Sequence, residues 1–509
     1  MRSYRLWTVS ASFFILFSFG FTQQPDWAKV HELTVQGIDQ VYNLEFDKAN
    51  GTFDEVIRIA PKDPRGYFFK STVDYWIFLV NKDKKAFDHY IALTDTVIDL
   101  CDKMIDIDEN NWNAKFYLGG AYGFRGLMHQ RNGSMMKAVW DGRKGYKLLQ
   151  EVAERKPDLY DAQMGFGLFT YMVGKIPKSF RWVVNILGFS GDLEGGLNYL
   201  RAAAEKGTYT RNEASYYLAQ FLYQENHQEE AKKHLERLTQ KYSDNTLFRL
   251  TQINWQMREN KWDEALATAN ATIEINTRKN IRYGDEFAYS TLGGIYFTQN
   301  NFERSIANYE AYLERSENKD NINNAVYFRI GTCYEILGNR EKAVEMYKRM
   351  KKVNDRDRPT ETYSYRRGTE RLQKPMTEFE LELTKAANLL NYGKQEQAVQ
   401  QYNVAFSKAG PNIDYQTLAL YGLQQAYFEW NKLDESIETG RKVSKMKPLG
   451  ETWLVPHSYF KMGQAYAKQG KTNEARQMFE IAQKFDDYDF QSGLENRLED
   501  ELKKLKSGT

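Results

Sequence analysis

The chain has 509 residues, and its 70 Lys and Arg stand against 68 Asp and Glu, a formal net charge of +2 that gives no field strong enough to draw it to nucleic acid or an anionic membrane. Hydrophobic residues make up 42% and aromatics 15%, enough apolar surface for helices to pack along the whole length, and only 10 prolines interrupt them. The two cysteines, Cys101 and Cys333, lie far apart in sequence and read as two buried free thiols, which excludes a disulfide-stapled fold.

The first 22 residues stand apart. Arg2 and Arg5 precede an apolar run from Leu6 to Phe19, and Ser18-Phe19-Gly20 or Gly20-Phe21-Thr22 offers small residues for cleavage. This predicts a signal peptide over 1–22 and export to the periplasm or cell envelope. The run is shorter than the ~20 apolar residues of a spanning helix, and no cysteine follows it to accept a lipid.

Val30 to Pro61 introduces a spacing that recurs. Counting Val30 as position 1, Gly37 falls at 8, Ala49 at 20, Phe53 at 24 and Pro61 at 32. Small residues at 8 and 20 let two helices approach closely while an aromatic at 24 fills the space beside them, so the unit predicts a helix-turn-helix of roughly 34 residues. A looser hairpin follows from Pro64 to Asp108, and Trp112 opens a third with Leu118-Gly119 at 7 and 8 and Tyr122 at 11. From Asp158 a fourth begins with Met164-Gly165 and Leu168, but its inter-helix connection swells into an apolar insertion over 174–191 before Gly196, Leu200 and Ala203 resume the second helix.

Units starting near Asn212, Thr246, Glu286 and Asn324 are regular, with Ala231, Ala265, Ser305 and Ala343 at position 20. Lys351 to Pro375 interleaves bases with acids and is punctuated by Pro359 and Pro375. It predicts a basic linker or loop over 356–375, between an N-terminal array at 23–355 and C-terminal units at 376–509. Three more units open near Phe379, Thr417 and Pro456. Leu494, Leu498, Leu502 and Leu505 then put one apolar stripe on a final helix, the polar-backed cap that an open array end requires.

The unit from Pro456 to Asp487 states the pattern most completely, with Met462-Gly463 at 7 and 8, Tyr466 at 11, Ala475 at 20, Phe479 at 24 and Ala482 at 27. In this L-G-x-x-Y…A-x-x-x-F…A spacing the chain resembles the tetratricopeptide repeat (TPR) family. The resemblance implies an all-α fold: a tetratricopeptide-repeat superhelix, or α-solenoid, of about ten helical hairpins with a C-terminal capping helix. The stretch Ile176–Leu200, IPKSFRWVVNILGFSGDLEGGLNYL, further resembles the eukaryotic TPR family that includes the yeast inclusion-body clearance protein, over 113–221. That likeness implies a scaffold or adaptor and brings no catalytic residues.

In such arrays the first helix of each unit lines a concave groove, with positions 2, 5, 9 and 12 facing inward. Carried over by position, the resemblance implies groove residues Tyr216, Gln220 and Tyr223; Asn254 and Met257; Phe297; Phe328, Thr332 and Glu335; Tyr421, Gln425 and Phe428; and Phe460 and Gln464. Aromatics with interspersed amides suit an extended peptide or a glycan; packing between repeats is the alternative role for the same rings. The carboxylate clamp of chaperone-binding members needs Lys at position 5, where this chain has Tyr216, Leu250, Ser290, Phe328, Tyr421 and Phe460.

Motifs that would carry chemistry are weak. Gly470-Lys471-Thr472 lacks the glycine five residues earlier, where Ala465 stands, and reads as a turn between helices. Asp106 to Asn110 alternates oxygens like a calcium loop, but Asn111 and Tyr117 replace the glycine and glutamate that such a loop needs. None of the six histidines pairs with another at i,i+4, so no metal site is expected. Neither cofactor nor catalytic residue is expected. The apolar connection, with Phe180, Trp182, Val183, Val184, Ile186, Leu187 and Phe189, is expected to dock onto the array; a peripheral membrane contact through 178–189 is the less favoured reading. Together these features predict a non-enzymatic exported scaffold holding a protein or peptide partner. The competing class is a glycan- or nutrient-capture module of an outer-membrane uptake system.

Overall fold

The computed structural model describes residues 24–81, 84–177, 179, 182, 186, 188–316, 323–353 and 358–507, so the expected signal peptide lies outside the described residues. Among them the regular elements are 24 helices and no strand. The chain divides into two compact units between Leu238 and Thr239.

In the first unit, α1 (Trp27–Tyr42) packs on α2 (Phe46–Ile59), α3 (Pro64–Asn81) on α4 (Lys84–Ile107), α5 (Trp112–Arg131) on α6 (Met135–Arg155), and α7 (Tyr160–Gly174) on α8 (Leu193–Lys206). Helix α9 (Arg211–Gln224) packs on α8 and α7, and α10 (Gln228–Lys241) contains the division. In the second unit the hairpins are α11 (Thr246–Arg258) with α12 (Trp262–Lys279), α13 (Asp285–Thr298) with α14 (Phe302–Arg315), and α15 (Asn324–Ile336) with α16 (Arg340–Lys348). A single helix, α17 (Pro359–Gln373), precedes α18 (Glu378–Asn391) with α19 (Gln395–Lys408), α20 (Ile413–Glu429) with α21 (Leu433–Val443), and α22 (Leu454–Lys468) with α23 (Thr472–Ala482). Helix α24 (Gln491–Ser507) closes the array. Ten hairpins are thus packed pair by pair among the described residues.

The repeat spacing explains how each hairpin closes. A Cβ on Gly37 would lie 2.5 Å from the Phe53 ring, and one on Gly293 would lie 2.7 Å from Tyr309, so position 8 must be small where position 24 is aromatic. A third rule sits at position 15, in the turn. Asn226, Asn260, Asn300 and Asn431, with Gly338, Gly393 and Gly470, all have positive φ there, a conformation that Gly adopts freely and Asn tolerates. Gly470 is therefore a turn residue. Asparagines also start helices: Asn111, Asn245, Asn301, Asn339 and Asn412 each accept a backbone N–H of the first turn. At the C-terminal end, Leu494 and Leu498 are buried against Phe460 and Phe479, while Glu499 and Lys503 pair at 2.6 Å in solvent.

The basic segment departs from the expected linker or loop. Residues 359–373 form α17, with Pro359 in its first turn, and the arginines reach back into the array. Arg371 lies 3.2 Å from Glu380 and 3.7 Å from Glu335, while Arg367 lies 2.7 Å from Glu380 and 3.8 Å from Glu451. The Glu335, Glu380 and Glu451 side chains are all buried, so this is a desolvated network whose charges need one another. The segment's arginines, and acids that lie outside it, are the two halves of an internal clamp. It carries the array through 358–376, and the division of the chain falls instead within α10.

Candidate binding cavity

Each unit folds back on itself, and in the first unit this encloses a cavity of about 450 Å³. Closure is made by Tyr209, just before α9. Its ring packs 5.4 Å from Phe69 of α3 and 5.5 Å from His31 of α1; its hydroxyl accepts from Arg65 at 3.2 Å and lies 2.8 Å from His31 Nδ1. Asp161, at the start of α7, fixes that turn. Its Oδ1 accepts from the backbone N–H groups of Thr208, Tyr209 and Thr210 at 2.8–2.9 Å and from the Thr210 hydroxyl at 3.0 Å.

Glycines line this space, most of them closely packed and one of them facing the void. Gly120, Gly123 and Gly126 of α5, Gly142 of α6 and Gly165 of α7 line it, beside Phe68, Phe69, Tyr75, Trp76, Phe116, Phe124 and Phe169. A Cβ on Gly142 would meet only Phe169, at 3.9 Å, so the void begins at that backbone. These glycines recur at i, i+3 along α5, which is more than hairpin closure requires, and that excess was the available signal in the sequence.

Two acids line this apolar space, and one of them, Asp161, is held by the closing turn. Glu213 of α9 lines the cavity, and burial alone pushes its carboxyl up to about 7. By surface area Glu213 is half-buried, at the edge of the cavity.

The positions implied by the repeat register fall into three groups. Tyr223, Thr332, Tyr421, Phe428 and Phe460 are buried, which corrects their expected place in an open groove. Tyr421 packs edge-on to Trp453 at 5.4 Å, Phe460 lies 5.6 Å from Phe479, and the Thr332 hydroxyl donates to its own helix at Phe328. Glu335 accepts from Arg340 and from the Met376 backbone N–H, so its carboxylate belongs to the α17 clamp. Tyr216, Gln220, Met257, Phe297, Phe328, Gln425 and Gln464 are half-buried, and Asn254 is exposed.

Phe297 shows why a groove read from position alone fails in the second unit. Helix α18 folds back over α13, and the Asn388 side chain donates to the Phe297 carbonyl at 2.8 Å and to Asn300 Oδ1 at 2.7 Å. Tyr392 completes the contact, accepting from Gln299 at 2.8 Å and donating to Asp263 at 2.5 Å. The array's own next turn occupies that stretch of the inner face.

Of the described residues in the apolar connection, those at its end dock. Phe180, Val183, Val184 and Leu187 lie outside the described residues. Trp182 and Ile186 are 64% and 71% exposed, contrary to the expected docking of the whole segment. Phe189 packs 5.1 Å from Tyr146 and lines the cavity, and the Ser190 N–H donates to the Tyr146 hydroxyl at 3.1 Å. Among the described residues no helix is long and apolar enough to cross a membrane, and no three potential metal ligands converge.

Known proteins resemble the chain in family and in fold. Residues 160–282 match the family described as Iml2/Tetratricopeptide repeat protein 39. Tetratricopeptide repeats match at 288–319, 325–355 and 457–485. No curated protein matches the chain. A solved tetratricopeptide repeat protein from Parabacteroides merdae ATCC 43184 is 15% identical over 57% of this chain and 97% of its own, with a TM-score of 0.25. Yeast Tom70 is 12% identical over 93% and 95% of the two chains, with a TM-score of 0.25. YrrB, a TPR protein with an unusual peptide-binding site, is 15% identical over 44% and 96%, with a TM-score of 0.21. Matched stretches in both halves, on packed helical hairpins with the small-and-aromatic register, show that the chain contains tetratricopeptide repeats, a repeat that typically builds protein-interaction scaffolds.

Proposed function

We propose that the protein is an exported scaffold or adaptor without catalytic activity, and that it holds a protein or peptide partner on the inner helices of its hairpins. The observation that carries this reading is the array of helical hairpins whose inner helices leave amides half-buried, Gln220 and Gln464 within matched stretches and Gln425 in the hairpin preceding the last match. Such amides both donate and accept, and so can pair with an extended backbone. The export component rests on Arg2, Arg5 and the apolar run from Leu6 to Phe19.

The test is capture from envelope extract followed by rebinding of the purified partner. A genuine partner rebinds, and Gln425→Ala with Gln464→Ala weakens it without changing helicity. Failure of every captured protein to rebind in pure form would overturn the scaffold reading. Recovery of the chain in the cytosolic fraction with residues 1–22 attached would overturn export.

A further inference from the structure

The cavity of the first unit has a chemistry of its own, separate from the inner-face amides. Its volume of about 450 Å³ falls within the roughly 300–1,000 Å³ of small-molecule sites. Its walls are aromatic and aliphatic, so whatever fills it carries an extended apolar body. The polar groups of the closing turn are already engaged: Asp161 by four donors, Thr210 by Asp161, and Tyr209 by Arg65. Glu213 differs. It faces the cavity, and neither a cation nor a hydrogen-bond donor contributes to its ionisation. An enclosed carboxyl in apolar surroundings is complemented by a group that brings positive charge and N–H donors together.

The mouth completes the picture. Met135, Val139 and Met172 line the cavity and are also 58%, 38% and 45% exposed, so they stand where it opens. A polar end held at the enclosed Glu213 leaves an apolar tail running out past these side chains.

We infer that this cavity is a binding site for a single-chain cationic amphiphile, an alkyl ammonium whose head pairs with Glu213 and whose chain lies against the apolar walls between α5, α6 and α7. The ammonium donates to the carboxylate, and no covalent step is involved. Selectivity comes from Glu213, since the other lining acid, Asp161, is already held by four donors: a neutral head forgoes the ion pair, and a carboxylate head meets like charge.

The experiment uses the purified full-length chain at pH 8, with dodecylamine, dodecanol and laurate below their aggregation limits. Binding is read by titration calorimetry and by the fluorescence change of tryptophan, Trp76 being a wall residue. Dodecylamine should bind about tenfold or more tighter than dodecanol, as for a charge-assisted hydrogen bond, with laurate weakest. Glu213→Gln should bring amine and alcohol to equal affinity while leaving the alcohol unchanged. Gly142→Leu, placed where a side chain enters the void, should abolish binding of both. Equal affinities in the wild type, preference for laurate, or no binding at all would overturn the assignment. So would an amine preference that survives Glu213→Gln, or binding that survives Gly142→Leu.

Discussion

Replacing Glu213 by Gln should stabilise the protein, and by an amount that depends on pH. Burial raises this carboxyl from its ordinary value of 4.5 to about 7. Below pH 4.5 it is protonated both in the folded and in the unfolded chain, and enclosing it costs nothing through ionisation. Between 4.5 and 7 the unfolded chain releases the proton while the folded chain keeps it, so stability falls as pH rises. Above 7 the loss is complete, and 2.5 pK units amount to about 3 kcal/mol at 25 °C. Gln has nearly the same shape and no proton to lose, so its advantage should be near zero at pH 4.5, intermediate at pH 6 and about 3 kcal/mol at pH 8. Urea unfolding of both proteins at those three pH values measures the difference, in which every titration they share cancels. Amide hydrogen exchange along α9 locates it in the first unit. A difference that does not change with pH, or a variant less stable at pH 8, would refute an enclosed and uncompensated acid.

Three further perturbations test the second unit. Gly463→Leu drives a side chain into the Phe479 ring and should destabilise the C-terminal hairpins by roughly 1–3 kcal/mol; an unchanged melting curve would contradict the register. Glu335→Gln removes one acid of the α17 clamp and leaves Arg371 and Arg340 short of a partner, a loss of about 3 kcal/mol that should appear as proteolysis near 350–376. His457 is held down to about 3, by burial first and then by Arg497 and Lys461. The folded protein therefore loses stability as pH falls from 6.5 toward 3, by up to roughly 5 kcal/mol. His457→Gln should flatten that acid limb in a pH series of unfolding curves.

What could be read in advance was local. Gly37 with Phe53, Gly463 with Phe479 and the leucine stripe of α24 are contacts within one hairpin or between neighbours, and residue type at a fixed spacing suffices to infer them. The asparagine and glycine turns at position 15 belong to the same class. The basic segment was misread because charge composition does not reveal a partner's distance. Arg371 and Glu335 are 36 residues apart, and their pairing turns an apparent linker into a helix.

The candidate site was illegible for a related reason. Stacking hairpins generates a superhelix, and after several repeats the advancing turn meets one laid down much earlier. Tyr209 reaches His31 across 178 residues, and Asn388 reaches Phe297 across 91. No residue pattern within a 34-residue unit encodes such a meeting. In the second unit the returning helix lies directly on α13, and the inner face there is spent on Asn388 and Tyr392. In the first unit the wall is bare backbone at Gly142, and the same closure leaves a void lined by Glu213. Side-chain volume on the inner helices thus decides whether a turn of the array seals itself or keeps room for a ligand. Filling Gly142 should convert the turn that keeps room into one that seals itself.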